Sequence, residues 1–375
     1  MNEKEVGELR RRFKHDKTSI THILGCYVND RREIVSEFDQ SLALMTEDEQ
    51  DRFLALLRKA LSGSIGKNLV DLPFATTEVV SGEAHKRLMN LRNSKLQDAE
   101  QIRAFYDLVA QSLPMETGYL ILIAHDAYDV PWHSKDGDRQ DDNSSEVYNY
   151  LICSICPVKQ TKPALSYDFK ENEFRDRVLD WLVSAPEVGF LFPAFDDRSA
   201  NIYSTLLYTR SVENNYPELI EALFHSEAPM PAAAQKENFR YLLGESLGEA
   251  CSIEVVQAVK EHFTDLVEQH KEAKEREPLV VTGKTVERVL SHCGVPEEKV
   301  EAFREQFSET FGEDAELPPT NLVEMKKFEL HTPDVTIQVN PERPELVQTR
   351  TIDGIRYLLI RADDSVELNG VQISF

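Results

Sequence analysis

Apolar residues recur along this 375-residue chain at two spacings, and each spacing predicts a different kind of element. In the centre of the chain, apolar runs bounded by glycine, proline and polar residues predict buried strands. The connections between them are mostly short, which favours an antiparallel or mixed sheet over a doubly wound parallel one. The predicted strands cover residues 118–125, 146–158, 163–168, 188–193 and 201–209.

Helical spacing predicts the elements that flank this sheet. Thr46 and Glu49 form a capping box before one apolar stripe, and Asp98 begins a second helix. Residues 171–184 carry apolar side chains every four residues, which predicts a helix lying on the sheet. The strongly polar residues 134–145 predict an exposed loop.

The charged segment 270–278, which ends in a proline, predicts the boundary between two domains. The predicted fold class is α+β: a central antiparallel or mixed sheet with flanking helices, followed by a smaller module of a helix hairpin and β-hairpins. We expect the main domain over 1–275, helical from about residue 232, and an independently folding module over 279–375. The module's predicted elements are helices over 284–293 and 296–311 and hairpin turns at Asp353-Gly354 and Asn369-Gly370.

The net charge of the chain disfavours nucleic acid as a partner. The chain carries 42 Lys and Arg against 66 Asp and Glu, a formal net charge of −24, and the whole excess lies beyond residue 70. Such a field repels phosphate backbones, so nucleic acid is a disfavoured partner. The basic cluster near the N-terminus is interpreted as a solvated helix face, with nucleic-acid binding as its alternative. It consists of Arg10, Arg11, Arg12, Lys14 and Lys17.

The compartment is predicted from what the sequence lacks. The first residues have no apolar core like that of a signal peptide. No apolar run approaches the roughly 18 residues that cross a bilayer. The five cysteines are odd in number and scattered, unlike a disulfide framework. We therefore expect a cytoplasmic protein that does not contact a membrane.

Two motifs are similar to a phosphate-binding loop and to a redox-active cysteine pair, but neither has the residues or the geometry that such a site requires. The glycine-rich segment 62–68 lacks the first glycine and the Ser or Thr of a phosphate-binding loop, so it is interpreted as a helix stop. Cys153 and Cys156 have redox spacing but lie in a predicted strand, where residues three apart point to opposite faces. We interpret both as buried small apolar residues. No cofactor is strongly implied.

The best candidate site follows the predicted strand 118–125. His125, Asp126 and Asp129 come together at its end, and imidazole and carboxylate groups are ligands that activate metal-bound water. They are the candidate metal ligands and catalytic residues. In the alternative, the two aspartates cap a turn and His125 is a satisfied strand-end residue.

A second cluster, Asp196, Asp197 and Arg198, follows another apolar strand. These residues are further candidates for catalysis, since adjacent carboxylates beside an arginine can bind a cation or a polar ligand. The alternative is a structural ion pair between Asp197 and Arg198 in a turn. The two clusters can converge only if the strands that carry them run parallel.

The chain carries a set of distinctive segments at 10–13, 19–21, 25–28, 62–68, 125–131, 153–157 and 189–199. Together they resemble a bacterial family catalogued only as a domain of unknown function, family 4317. The resemblance spans nearly the full length and implies a cytoplasmic bacterial protein, with no activity, cofactor or catalytic residue to carry over. A fainter similarity of layout is to bacterial nucleoid-associated proteins with a mixed sheet core, and the charge argues against DNA binding.

The leading hypothesis from the sequence is a non-enzymatic interaction or regulatory protein with a protein partner of unknown identity. The alternative is a divalent-metal-dependent hydrolase centred on His125, Asp126 and Asp129. A nucleoid-associated or other nucleic-acid-binding protein is the third and least favoured class. The sequence leaves the oligomeric state, the partner and any substrate open.

Overall fold

The computed structural model describes residues 1–133, 139–176, 179–273, 275, 277–325, 327–340, 343–362, 366–368 and 370–373. The chain divides into two compact units, Met1–Ala232 and Ala233–Phe375. Each unit has its own hydrophobic core and is described separately. None of the described helices is both long and apolar enough to cross a membrane.

The first unit contains six helices and twelve strands among its described residues. The helices are α1 (Glu3–Arg10), α2 (Glu47–Lys59), α3 (Thr76–Ser81), α4 (Glu83–Asn93), α5 (Ala99–Ser112) and α6 (Pro217–Phe224). The strands are β1 (His22–Val28), β2 (Ile34–Ser41), β3 (Leu69–Pro73), β4 (Tyr119–His133), β5 (Arg139–Gln160), β6 (Leu165–Asp168), β7 (Glu173–Asp176), β8 (Trp181–Val183), β9 (Val188–Phe192), β10 (Ala194–Asp196), β11 (Ser199–Asn201) and β12 (Ser204–Thr209).

A large antiparallel sheet organises this unit and confirms the α+β class. Its strand order is β2-β1-β4-β5-β9-β12-β3, and β8 pairs with β5 beside this path. Every pairing in it is antiparallel. Because β4 and β9 both run antiparallel to β5, they run parallel to each other. His125 of β4 and Phe192 at the end of β9 both pair with Leu151 of β5, so they lie level with each other in the sheet. Strand β4 continues to His133, however, so His125, Asp126 and Asp129 lie within the strand and do not follow its end as predicted.

Helices cover both faces of the central strands. Ile121 and Ile123 point into a core with α4, α5 and α6, whereas Leu120 and Leu122 point into a second core with α1 and α2. Successive strand residues alternate between faces, so burial of both faces requires apolar residues at every position. This explains the unbroken apolar run in β4.

Two further local predictions in this unit are wrong. Within 171–184, Glu173–Asp176 form β7 and Trp181–Val183 form β8 instead of a helix, because residues four apart share a face in a strand as well as in a helix. Residues 177–178 of the predicted helix lie outside the described residues. Phe174 and Leu182 are in fact exposed. The predicted loop over 134–145 is strand from Arg139 onward, where β5 pairs with the end of β4. Residues 134–138 lie outside the described residues.

The second unit combines helices with small hairpins. Its described elements are α7 (Ala232–Leu247), α8 (Ile253–Ala273), α9 (Gly283–His292), α10 (Glu297–Phe311), α11 (Pro319–Leu322), β13 (Phe328–His331), β14 (Thr336–Val339), β15 (Val347–Ile352), β16 (Ile355–Ile360), β17 (Val366–Leu368) and β18 (Val371–Ile373). The predicted helix pair is confirmed by α9 and α10. The Asp353-Gly354 turn is confirmed between β15 and β16, with positive φ at both residues. Asn369 lies outside the described residues.

The predicted boundary at 275–279 falls inside this second unit. Phe239 of α7 and Phe263 of α8 share one hydrophobic core with Phe303 of α10. The ring of Phe239 lies 6.2 Å from that of Phe263 and 6.3 Å from that of Phe303. Helices on both sides of the predicted boundary thus pack together.

Candidate functional site

Strand β4 places His125 and Asp126 on opposite faces of the sheet. Asp126 follows Leu122 and Ala124 on the α1 side, and His125 follows Ile121 and Ile123 on the α4 side. Asp129 shares the face of His125, but four residues of strand separate their Cα atoms by about 13 Å. The three candidate ligands therefore do not converge. No group of three or more His, Cys, Asp or Glu side chains suited to a metal was found among the described residues.

The carboxylate of Asp126 is almost fully buried, with 1% of the residue exposed, and its oxygens are bonded. The Tyr150 hydroxyl donates to Oδ2 at 2.6 Å, and Arg12 Nη2 donates to the same oxygen at 3.2 Å. The backbone N–H of Ala127 donates to Oδ1 at 2.9 Å. A carboxylate held by three donors in a closed environment is typical of a structural ion pair.

Arg12 is the cation that neutralises Asp126. It lies just after α1, with its guanidinium 4.3 Å from the centre of the Tyr128 ring, and it also donates to Ser19 Oγ and to the carbonyl of Ala127. Burial acts to lower the pKa of Arg12, and the charge of Asp126 outweighs it, so the pKa is raised. Because its charge is neutralised by Asp126, Arg12 does not contribute to the predicted basic cluster.

Arg198 of the second cluster contacts the last residues of β4, but its ion-pair partner is not Asp197. Its Nη1 lies 2.6 Å from Glu8 Oε2, and its Nη2 donates to the carbonyl of Pro131 at 2.9 Å. The Tyr128 hydroxyl donates to the other oxygen of Glu8. The structure thus brings Arg198 to the end of β4, on the face of Asp126 and away from His125.

Asp196 and Asp197 belong to the tight hairpin of β10 and β11. Asp197 and Arg198 form its turn, with φ values of 48° and 62°. Asp196 accepts a hydrogen bond from Asn201 Nδ2 at 2.7 Å, and one of its oxygens lies 2.6 Å from the amino group of Met1. Asp197 is exposed. The carboxylate of Asp196 is thus bonded within the unit, whereas that of Asp197 faces solvent. The ion pair predicted between Asp197 and Arg198 is not formed.

A different feature of the first unit is the segment 161–184 between β5 and β9, which we name the arm, and most of its described residues are exposed to solvent. Strands β6 and β7 form its isolated hairpin, and β8 attaches it to the end of β5 through pairs such as Val158 with Val183. None of the arm's described residues belongs to either hydrophobic core of the unit.

The arm carries an aromatic cluster on its surface. The Tyr167 ring lies 4.9 Å from that of Phe169 and 5.1 Å from that of Phe174. Phe169 is 88% exposed, Phe174 72% and Trp181 61%. Apolar side chains grouped in this way on a surface are typical of a binding site. Sequence reasoning missed this feature because Phe174 was assigned to the apolar face of a predicted helix and Tyr167 to a predicted strand of the central sheet.

This chain belongs to the DUF4317 family. The family is described as a domain of unknown function, and it matches residues 1–371. The resemblance seen in the sequence is thereby confirmed over nearly the whole chain. No curated protein and no solved structure matches the chain.

The two motifs rejected for this DUF4317 protein have structural roles. Cys153 and Cys156 are buried in opposite cores, as predicted, and burial raises the pKa of the Cys156 thiol to about 12. Gly63, just beyond α2, has a φ of 105°, a conformation that favours glycine. Asn68 Nδ2 donates to the carbonyls of Thr209 and Arg210, so segment 62–68 forms a turn fixed to the sheet.

Proposed function

We propose that this DUF4317 protein is a non-enzymatic interaction protein and that the arm is its partner-binding element. The observation that carries the proposal is the exposed aromatic cluster of Tyr167, Phe169 and Phe174, supplemented by Trp181. The stability of the hairpin supports this proposal. An isolated two-stranded hairpin is marginally stable in water, and burial of large aromatic side chains against a partner offsets that weakness.

The partner proposed is a protein that covers the arm with apolar side chains. The outer edges of a two-stranded hairpin also leave backbone groups for an added strand from the partner. Residues 165–183 contain five Asp and Glu against three Lys and Arg, so a basic rim on the partner suits this surface.

The alternatives receive less support from the geometry. A divalent-metal hydrolase needs His125, Asp126 and Asp129 at one ion, and β4 directs the first two to opposite faces. Nucleic-acid binding would use the basic cluster, but Arg12 of that cluster is already neutralised by its ion pair with Asp126. Metal analysis of the purified protein tests the first alternative, and salt-dependent nucleic-acid binding tests the second.

The test compares partner capture by three forms of the full chain in native lysate. The first is the wild type, the second carries Phe169→Ser with Phe174→Ser, and the third is a control with Leu44→Ser and Val80→Ser. The control residues are 89% and 78% exposed and lie outside the arm. A captured protein is then identified, purified and titrated against each form.

We expect the arm variant to bind the purified partner about tenfold more weakly or worse, because buried aromatic anchors dominate interface energies. The control should bind like the wild type. Equal affinity of all three forms would exclude the arm as the binding element. Turnover in a broad substrate screen with no specific partner would overturn the non-enzymatic assignment.

A further inference from the structure

A second hairpin of this chain is exposed in the same way as the arm. Strands β15 and β16 pair with each other, from Val347 with Ile360 to Ile352 with Ile355, and form a sheet of their own. None of their residues belongs to the hydrophobic core of the second unit. Because an isolated two-stranded hairpin is marginally stable in water, this element, like the arm, is stabilised by a partner that covers it.

One face of the β15–β16 hairpin is apolar around a single arginine. Residues directly opposite each other in an antiparallel pair share a face, so Arg350 and Tyr357 lie beside Ile352 and Ile355 on this face. Ile352 is 46% exposed, Ile355 58% and Tyr357 42%. In the described part of the chain, the Arg350 side chain forms no ion pair and no hydrogen bond. The opposite face begins with Val347, which is buried.

The aromatic face of the arm has the complementary arrangement. Leu165 pairs with Asp176 and Tyr167 pairs with Phe174, so these four side chains share one face of the β6–β7 hairpin. Leu165 is 73% exposed, and Asp176 is exposed beside it. The Asp176 carboxylate has no ion-pair or hydrogen-bond partner among the residues that the structure describes. One face thus offers an unpaired carboxylate and the other an unpaired guanidinium, each among exposed apolar side chains.

The segments around these two faces carry opposite net charges. Residues 347–361 contain three arginines and one aspartate, whereas residues 165–183 contain five Asp and Glu against three Lys and Arg. The basic cluster near the N-terminus is not an equivalent match for the arm, because none of the exposed large apolar side chains lies within residues 1–34. The β15–β16 hairpin combines the positive charge with an exposed apolar face.

We propose that the arm of one copy of this chain packs on the β15–β16 hairpin of a second copy. This inference rests on the function proposed above and names the partner. The two apolar faces lie against each other as packed sheets do, and the aromatic cluster is buried against Ile352, Ile355 and Tyr357. Asp176 and Arg350 then provide a charge-assisted pair across the contact.

The net charge of −24 opposes contact between copies, so the local match has to outweigh it. At physiological ionic strength, repulsion between exposed charges is largely screened beyond about 8 Å. Burial of the aromatic side chains supplies most of the affinity, and the opposite charges fix which faces meet. Like charges brought together at the same place oppose binding, so charge reversal is the sharpest perturbation of this contact.

The test measures the association of the full-length protein by sedimentation velocity as a function of its concentration. We expect the wild type to form dimers or larger assemblies as its concentration rises. Asp176→Arg alone and Arg350→Asp alone bring like charges together, and each should weaken association about tenfold or more. An equimolar mixture of the two variants should associate again, because every arm then meets a hairpin of opposite charge on the other variant.

The matched controls are Glu173→Arg and Arg356→Asp, which make the same charge changes on the opposite faces of the two hairpins. Both should associate like the wild type. The proposal is overturned if the wild type is a monomer throughout, if the mixture associates no better than either variant alone, or if the controls weaken association equally. A monomer whose arm still binds a different purified protein would overturn this inference and leave the proposed function standing.

Discussion

At the scale of single residues, the stability of the first unit depends on the carboxylate of Asp126, which accepts hydrogen bonds from three separate parts of the chain. Arg12 precedes it by 114 positions, and Tyr150 lies on the next strand. The sequence could identify a carboxylate directly after a buried apolar run. It could not supply the partners, because a contact between residues so far apart leaves no local periodicity. Glu8, which binds Arg198, was missed for the same reason.

Removing the Asp126 carboxylate should strongly destabilise the first unit. Asp126→Ala leaves the largely buried guanidinium of Arg12 and the Tyr150 hydroxyl without an acceptor, at a cost of about 3–5 kcal/mol. Urea unfolding monitored by tryptophan fluorescence measures this cost, since both tryptophans, Trp132 and Trp181, lie in the first unit. Asp129→Ala, at an exposed position, should change the free energy of unfolding by less than about 0.5 kcal/mol. Equal effects of the two variants would contradict the structural role of Asp126.

The pair of His15 and Asp51 gives a pH-dependent prediction. His15 Nδ1 lies 3.1 Å from Asp51 Oδ1, and this hydrogen bond raises the pKa of His15 and lowers that of Asp51. Because the folded-state pKa of His15 is raised, its contribution to stability is fully present below the unfolded pKa of about 6.5 and is lost as pH rises through the folded value. In an NMR titration, Asp51→Asn should lower the pKa of His15. Asp48→Asn, on the same helix, should lower it less, and the reverse order would contradict the pairing.

The apolar first half of strand β4 and the helices α9 and α10 could be predicted because each carries a regular apolar pattern, whereas the residues from Asp126 to His133 were not assigned to the strand. The segment 171–184 could not, since its four-residue spacing fits a helix and a strand equally well. Only pairing with β5, a tertiary contact, selects the strand for β8. At the scale of elements, the consequence is that Phe174, assigned to a buried helix face, belongs instead to the exposed aromatic cluster of the arm.

The position of the domain boundary can be tested with two fragments. Residues 233–375 retain Phe239 and Phe263, which pack with Phe303, and residues 279–375 lack both. Loss of two core phenylalanines costs several kcal/mol, roughly 3–5 for each side chain. We expect the longer fragment to unfold cooperatively and at a higher temperature in calorimetry. The boundary predicted from the sequence would be supported instead if the shorter fragment were equally stable.

At the scale of the whole molecule, the pattern of apolar positions predicted the α+β class but not the place of the proposed functional surface. Alternation and burial determine a sheet, and the apolar residues that form it are visible in the sequence. An apolar residue that remains exposed looks the same in the sequence as one that is buried. Phe169 and Phe190 differ only in the folded chain, where one is exposed on the arm and the other lies in the core.

The central claim is that the arm contacts a protein partner, and site-specific photocrosslinking in cells of the source organism tests it most directly. A photoreactive phenylalanine analogue replaces Phe169 in one form of the full chain and Leu44, 89% exposed outside the arm, in another. The account predicts one discrete crosslinked protein from position 169 and none from position 44. The absence of a discrete product at 169, or the same products at both positions, would contradict it.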